Sequence, residues 1–305
     1  MTEQRQRGKV TRPVPLPLGG RFRVQLAALV GFNSYFLSSS GKHLCIPVLN
    51  CYACPIGIVA CPVGSLSAFA YARLIPFYII GFLGIVGVTL GRALCGWACP
   101  FGWLQDMLCR LPTRKWRLPR GANSLKYALL VVLVIGLPAV VGAGRQATGP
   151  DRVVEETAGA LDYCALVCPA GTLQAGVPGL ITSPELRSRA SWRTANKLLI
   201  LLAVLALMVV SRRSFCRALC PLGAMMAATS RVCLLRLQTD PDLCTRCMRC
   251  VAVCPTRSRM VPSAAGQKEA TAECILCLDC VRACPEAGAL GARLAGRTIA
   301  ASRDR

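Results

Sequence analysis

Cysteines in two closely spaced runs near the C-terminal end are the residues best suited to do chemistry. The segments "CTRCMRCVAVCP" and "CILCLDCVRACP" share the pattern C-x-x-C-x-x-C-x-x-x-C-P. This pattern is typical of bacterial proteins that hold two [4Fe–4S] clusters, in which the fourth cysteine of each run ligates the other cluster. The predicted ligands are Cys244, Cys247, Cys250 and Cys284 for cluster A, and Cys274, Cys277, Cys280 and Cys254 for cluster B.

Zinc sites and disulfides are the alternative interpretations of these eight cysteines. Structural zinc sites usually pair two C-x-x-C units, and nothing in them requires two full four-cysteine runs. The cytoplasm, where we expect this segment to lie, keeps cysteine thiols reduced and so disfavours disulfides. The iron–sulfur interpretation is therefore preferred.

Two C-x-x-x-C-P-x-G motifs form a second group, "CGWACPFG" with Cys95 and Cys99 and "CRALCPLG" with Cys216 and Cys220. A spacing of four places both cysteines on one face of a helix, but the residue before proline avoids helical geometry. We therefore expect each motif where a helix ends in a turn. If these four thiols, the inner thiol set, converge near the cytoplasmic surface, they could hold one further cluster. Packing of small thiols between helices is the alternative.

A third group of cysteines lies in "CIPVLNCYACPIGIVACP" and "CALVCP". We expect it on the outer side of a membrane, about 30 Å of hydrocarbon away from the inner thiol set. A further cluster, a copper(I) site of soft thiolates and disulfides in an oxidising periplasm all remain open. Cys109 and Cys233 are interpreted as ordinary buried thiols. The candidate outer ligands are Cys51, Cys54, Cys61, Cys164 and Cys168.

The elements that must position these cysteines are helices in a membrane. The sequence has 305 residues, of which 54% are hydrophobic and only 16% charged, a composition too apolar for an ordinary soluble domain. Apolar runs long enough to cross a bilayer predict four membrane helices. Their expected ranges are 22–37, 74–94, 125–141 and 195–210.

An internal repeat relates the two halves of this predicted membrane part. "CPVGSLSA" is similar to "CPAGTLQA", and each precedes a helix and a C-x-x-x-C-P-x-G motif. Two repeats in the same orientation predict a pseudo-twofold axis along the membrane normal. The expected fold is mostly α: a four-helix transmembrane bundle of two parallel helix-hairpin repeats, followed by a bacterial-type 2[4Fe–4S] ferredoxin domain of the α+β class. The predicted divisions are a basic segment 1–21, a membrane domain 22–238 with repeats 22–121 and 122–238, the ferredoxin domain 239–293 and a basic tail 294–305.

The net charge of +22 is concentrated beside the apolar runs, as the positive-inside rule requires. This distribution predicts a multi-pass protein of the bacterial inner membrane with both termini and the ferredoxin domain in the cytoplasm. It favours contact with anionic lipid rather than nucleic acid. One histidine, His43, and no C-x-x-C-H motif leave no haem attachment site, and no flavin attachment or catalytic nucleophile–base pair is recognised. Asp106 is a candidate for proton exchange with quinone, or else a solvated acid at a helix end.

The motifs "CGWACPFGWLQD" and "CRALCPLGA" followed by two ferredoxin runs resemble those of the NapH/MauN-type membrane ferredoxins, in a less characterised branch. The resemblance implies an electron-transfer subunit that passes single electrons between the quinone pool or cytoplasmic donors and a partner oxidoreductase or cytochrome. It extends to the inner thiol set and the eight ferredoxin cysteines. The alternative function is an assembly or maturation factor that delivers electrons or a metal such as copper to a partner metalloenzyme.

Overall fold

The computed structural model describes residues 20–34, 45–113, 115–116, 118–119, 121–143, 162–188, 190–256, 268–269 and 272–302. Most of the predicted basic segment 1–21, His43 and the last three residues of the predicted tail lie outside the described residues. The described part is mostly helical and contains a small sheet near its C-terminal end.

The helices follow one another along the chain with short connections. α6 contains a wide π-helical turn at Leu130–Gly136, and α8 contains one at Thr172–Gly176. The helices are α1 (Gly20–Phe32), α2 (Pro62–Tyr71), α3 (Phe77–Thr89), α4 (Ala93–Trp97), α5 (Pro100–Leu108), α6 (Ala122–Ala143), α7 (Tyr163–Leu166), α8 (169–182), α9 (Pro184–Ser188), α10 (Trp192–Val210), α11 (Ser214–Ala218), α12 (Pro221–Thr229), α13 (Arg249–Val253) and α14 (Asp279–Ala283).

Two of the four expected membrane helices are long and apolar enough to cross a bilayer. α6 has 22 residues and α10 has 19, which correspond to about 33 Å and about 28 Å of helix. α3 has only 13 residues, so the predicted span 74–94 is too long. It ends early because Gly91 adopts a left-handed φ of 54°, the conformation that commonly terminates a helix.

The sheet has four antiparallel strands, β1 (Leu235–Thr239), β2 (Lys268–Glu269), β3 (Leu290–Leu294) and β4 (Arg297–Ala301), in the order β2-β1-β3-β4. Ala295 and Gly296 join β3 to β4 with positive φ at both positions, as a two-residue hairpin of type I′ requires. The sheet therefore begins before the predicted boundary at residue 239. It also includes part of the predicted tail as strand β4.

One hydrophobic core joins the helical part to the cysteine-rich part. Ile275 and Cys277, from the second cysteine run, pack in the same buried cluster as Cys95, Phe101 and Phe215. A smaller cluster beneath the sheet includes Leu237, Leu290 and Val281. The second cysteine run is thus held between the sheet and the helices.

Candidate functional site

The two cysteine runs fold into loops of the same shape, loop A (244–250) and loop B (274–280). Arg246 and Met248 in loop A, and Leu276 and Leu278 at the equivalent positions of loop B, all have positive φ. This conformation costs roughly 1–2 kcal/mol for a residue with a Cβ, and its repetition indicates that both loops must close tightly. In each loop it turns the backbone around the central cysteine.

The fourth cysteine of each run ends a short helix. Cys254 follows α13 and Cys284 follows α14, and both have extended backbone geometry. Proline comes next in each case, which excludes helical geometry at the cysteine. The packing of α13 against α14 carries each of these cysteines toward the other loop.

Two cavities receive the predicted ligand sets. One cavity is lined by the four cluster A cysteines, and a second cavity is lined by the four cluster B cysteines. In each set three thiols come from one run and the fourth comes from the other. Among the described residues no three His, Cys, Asp or Glu side chains can share one metal ion. The ligands of a cubane bind different irons, so the residues present fit a [4Fe–4S] cluster in each cavity.

The two cavities differ in their exposure to solvent. Cys247 of loop A is exposed and Met248 is 43% exposed, whereas Cys277 and Cys280 of loop B are 6% and 7% exposed. Burial raises the pKa of the Cys274 thiol to about 11. The ionised ligand at this position therefore needs a nearby cation, which iron supplies.

Loop B lies directly on the inner thiol set. A Cβ at Gly96, which is between Cys95 and Cys99, would overlap the carbonyl oxygen of Ile275. Trp97 Nε1 donates a hydrogen bond of 2.9 Å to the Leu276 carbonyl oxygen. The missing side chain at Gly96 therefore allows the backbones of the two cysteine motifs to touch.

Ion pairs fix this contact on both sides. Glu273, immediately before loop B, accepts from Arg92 Nη1 and from Lys126 Nζ, each at 2.6 Å. Arg21 at the start of α1 pairs with Asp279 of α14 at 3.3 Å, and also with Asp106. Groups far apart in the sequence thus bind the ferredoxin part to the helices.

Asp106 is neither a solvated acid nor an isolated proton carrier. Its carboxylate accepts from Arg213 Nε at 2.8 Å and from Arg21. Burial acts to raise the pKa of Asp106, but the two guanidinium groups outweigh it and hold that pKa below its ordinary value. A carboxylate held ionised in this way is suited to positioning its partners, and the expectation of a solvated helix-end acid is wrong.

The four inner thiols converge. Each of the six possible pairs among Cys95, Cys99, Cys216 and Cys220 interacts electrostatically. The helix break anticipated at each motif falls between its two cysteines, because Cys99 precedes α5 and Cys220 precedes α12, each with a proline at the first helical position. Gln105 Nε2 donates to Cys216 Sγ at 2.9 Å.

Buried cations surround the inner thiol set. Arg92, Arg213, Arg217 and Lys126 are each no more than 2% exposed. Arg92 interacts with the thiols of Cys95 and Cys216, and its Nε has no hydrogen-bond acceptor among the described residues. Glu273 and Asp106 offset two of these four charges. Four neutral thiols would leave the other two unbalanced, whereas thiolates on an iron–sulfur core would balance them. The inner site therefore also fits an anionic cluster.

The outer candidate cysteines do not lie on a distant face. The backbone N–H of Leu49 donates to the Cys99 thiol, and the Cys61 thiol interacts electrostatically with that of Cys99. The expected separation of about 30 Å between the two groups is wrong. The reason is that the helices between the two groups are short: α2 has 10 residues and α3 has 13, which correspond to about 15 Å and about 20 Å of helix.

All 20 cysteines are free, and none forms a disulfide. Cys54 is buried, with 3% exposed. Cys233 is buried as expected, and its sulfur would lie 2.9 Å from a Cβ at Gly91. Cys109, at the end of α5, is only half-buried, so the prediction of a buried thiol fails there.

Comparisons with known proteins find iron–sulfur domain families along this chain. The model of a 4Fe-4S dicluster domain matches residues 236–285. A second model, a 4Fe-4S binding domain, matches residues 74–119, 163–181 and 197–238, which include the inner thiol set. The methylamine utilization ferredoxin-type protein MauN of Paracoccus denitrificans is 36% identical over 70 residues, 23% of this chain and 25% of that protein.

Together these matches support a NapH/MauN-type 4Fe-4S ferredoxin family for this chain, at low identity. This ferredoxin-type protein is 24% identical over 228 residues to YccM of Escherichia coli, whose name assigns it to electron transport; the match covers 70% of this chain and 53% of YccM. It is 28% identical over 192 residues to an uncharacterised protein of Methanocaldococcus jannaschii, covering 61% of this chain and 67% of that protein. No solved structure matches this protein.

Sequence reasoning missed the residues that position the ligands in this family member. Arg92, Lys126 and Glu273 form one ion-pair group although they lie far apart in the chain, so no local spacing connects them. The only available signal was that Arg92 and Glu273 stand beside cysteine motifs and that Lys126 stands at the start of an apolar run.

Proposed function

We propose that this ferredoxin-type protein is an integral protein of the bacterial inner membrane that passes single electrons between the quinone pool or a cytoplasmic donor and a partner oxidoreductase. In the proposal it holds three [4Fe–4S] clusters, two in the ferredoxin domain and one in the inner thiol set. A bound cluster supplies reversible one-electron transfer. The observation that carries the proposal is the backbone contact between Gly96 and Ile275, which joins two of the ligand sets.

The protein's own residues give these sites an order. Loop A meets solvent through Cys247 and is suited to exchange with a soluble donor. Loop B is enclosed between loop A and the inner thiol set, where Ile275, with 1% exposed, excludes water. A series of ligand sets that is exposed at one end and buried at the other favours passage of electrons through the molecule rather than electron exchange at a single surface.

The membrane assignment rests on the apolar surfaces of the helices. Val140 of α6 and Leu199 of α10 are 71% and 65% exposed, and Phe77 of α3 is 77% exposed. Such surfaces are stabilised by lipid. The contact of Arg212 Nη1 with the Val253 carbonyl oxygen, at 3.3 Å, keeps the ferredoxin domain beside a basic flank, which supports the cytoplasmic orientation proposed from the positive-inside rule.

Anaerobic purification in detergent, with measurement of iron and acid-labile sulfide and an EPR-monitored redox titration, tests the proposal. Cys99→Ala should remove about four irons per chain, because one ligand of the inner set is lost. Cys109→Ala, which changes a cysteine at the opposite end of helix α5 and outside the proposed sets, should retain all iron. Addition of a quinol under anaerobic conditions should then generate the EPR signals of reduced clusters.

Iron-free, EPR-silent wild-type protein would disprove the iron–sulfur function itself. Full iron content in Cys99→Ala would show that the inner thiols only pack between helices. Clusters that stay oxidised with quinol but are reduced by a cytoplasmic ferredoxin would exclude quinone as the donor and leave the cytoplasmic route.

A further inference from the structure

A second group of four thiols lies beyond the inner set. The thiols of Cys164 and Cys168 are within hydrogen-bond distance of each other, and Cys61 interacts electrostatically with both. Cys51 interacts electrostatically with Cys168. These four residues, here named the second thiol set, come from three separate segments of the chain.

Two glycines leave room for something between these thiols. A Cβ at Gly171 would lie 3.5 Å from Cys51 Sγ and 3.7 Å from Cys168 Sγ, and one at Gly64 would lie 3.7 Å from Cys164 Sγ. For Gly171 the two sulfur atoms are the nearest neighbours, followed by Cys168 Cβ at 3.9 Å. The Cys51 and Cys168 sulfurs are therefore separated by no more than the sum of two van der Waals contacts.

Polar side chains hold the segments that carry the second thiol set. Gln174 Oε1 accepts from the Cys51 backbone N–H at 2.7 Å, while Gln174 Nε2 donates to Asn50 Oδ1 at 3.0 Å. Asp162 caps α7 by accepting from the Ala165 N–H at 2.6 Å, and it also accepts from Ser67 Oγ of α2 at 3.1 Å. Such cross-links fix where the four thiols meet.

The second thiol set repeats the construction of the inner set. Cys61 and Cys168 precede α2 and α8 with proline at the first helical position, as Cys99 and Cys220 precede α5 and α12. The Gly171 N–H donates to Cys168 Sγ at 3.4 Å, and the Gly223 N–H donates to Cys220 Sγ at 3.3 Å. Both sets thus combine two cysteines at helix starts with two others.

We propose that Cys51, Cys61, Cys164 and Cys168 ligate a further [4Fe–4S] cluster next to the inner thiol set. The proposal rests on the proposed function and extends it, because the Cys61 thiol interacts electrostatically with that of Cys99 and so continues the sequence of ligand sets away from the ferredoxin domain. The set has four thiols, as a cubane needs.

The test compares Cys51→Ala and Cys61→Ala with Cys54→Ala in anaerobically purified full-length protein. Iron, copper and sulfide are measured per chain, and EPR spins are counted after reduction with dithionite. Each of the first two variants should lose about a quarter of the wild-type iron, with the ferredoxin signals retained. Cys54→Ala should keep its iron, although it changes a cysteine in the same loop.

Cys51 lies on a half-buried loop, so its variant should fold even if substitution at Cys61 prevents folding. Unchanged iron in Cys51→Ala, or an equal loss in Cys54→Ala, would overturn the proposed ligand set. Stoichiometric copper, or a disulfide within the set detected by mass spectrometry, would overturn the cluster. A wild-type protein without any iron would instead disprove the proposed function, so the two failures are distinguishable.

Discussion

Single residues decide the electrical environment of the inner thiol set. Arg213 and Arg217 belong to the basic flank from which the sequence predicts the side of the membrane, yet both are almost completely buried beside Cys216. A count of charges along the sequence reveals the basic flank, but it does not reveal that these arginines are buried. Their burial depends on distant partners: Arg213 pairs with Asp106, more than 100 residues earlier.

Replacement of Arg92 by glutamine should lower the reduction potential of one centre. Reduction adds negative charge next to Cys95 and Cys216, and the variant loses a buried positive charge there. We expect a shift on the order of 50–100 mV for a charge at this range in a partly shielded interior. An EPR-monitored titration of Arg92→Gln measures it, with Arg193→Gln, at an exposed position of α10, as the control.

Equal potentials for all centres in Arg92→Gln and wild type would mean that no redox centre lies near this guanidinium. A shift of the same size in Arg193→Gln would point to the net charge of the protein instead.

Individual elements were predicted with unequal success. The cysteine loops and the helix breaks at C-P-x-G followed from the sequence, because ligand spacing and proline geometry act over a few residues. The length of α3 and the docking of loop B did not, since they depend on Gly91 against Cys233 and on Gly96 against Ile275. Such contacts bring together distant segments, and a single sequence carries no record of them.

Gly96→Ala should loosen loop B from the helices. The added methyl group overlaps the Ile275 carbonyl, and relief of such crowding typically costs about 1–3 kcal/mol. Hydrogen exchange followed by mass spectrometry should show faster exchange in residues 272–284 than in wild type. Gly84→Ala is the matched control, because a Cβ there meets nothing within 4 Å.

Unaltered exchange in Gly96→Ala would contradict the close approach of the two backbones. Faster exchange in both variants would indicate a general loss of stability rather than release of loop B.

At the scale of the whole molecule, the helices have a consistent direction relative to the ferredoxin domain, which the sequence predicted only in outline. α6 begins beside the ferredoxin domain, where Lys126 pairs with Glu273. It ends at the α2–α3 turn, where Gly142 adjoins the Tyr71 carbonyl. Of the four full-length helices expected from hydropathy, α6 and α10 are long enough to cross a bilayer, whereas α3 has only 13 residues because the chain turns at Gly91.

Reporter insertions test this polarity. A fluorescent reporter fused after Ser302 should be bright in the cytoplasm, and alkaline phosphatase inserted after Ala143 should be active outside it, because α6 crosses between these levels. The same phosphatase inserted near Arg110, in the basic segment after α5, should be inactive. The reverse activities would invert the proposed orientation, and inactivity at all sites would argue against a membrane crossing by α6.

The segment of helix α1 was expected to form a membrane helix, and its contacts also connect two distant parts of the molecule. Near its first turn Arg21 and Gln25 donate to the Gly96 carbonyl oxygen, at 3.1 and 2.9 Å. At its other end the Phe32 carbonyl accepts from Ile58 N and Asn50 Nδ2. A helix of thirteen residues is stiff and about 20 Å long. A tilt of the ferredoxin domain would therefore be transmitted through α1 to the loop that carries Cys51. Deletion of α1 would therefore loosen both the Gly96 region beside the ferredoxin domain and the loop that carries Cys51.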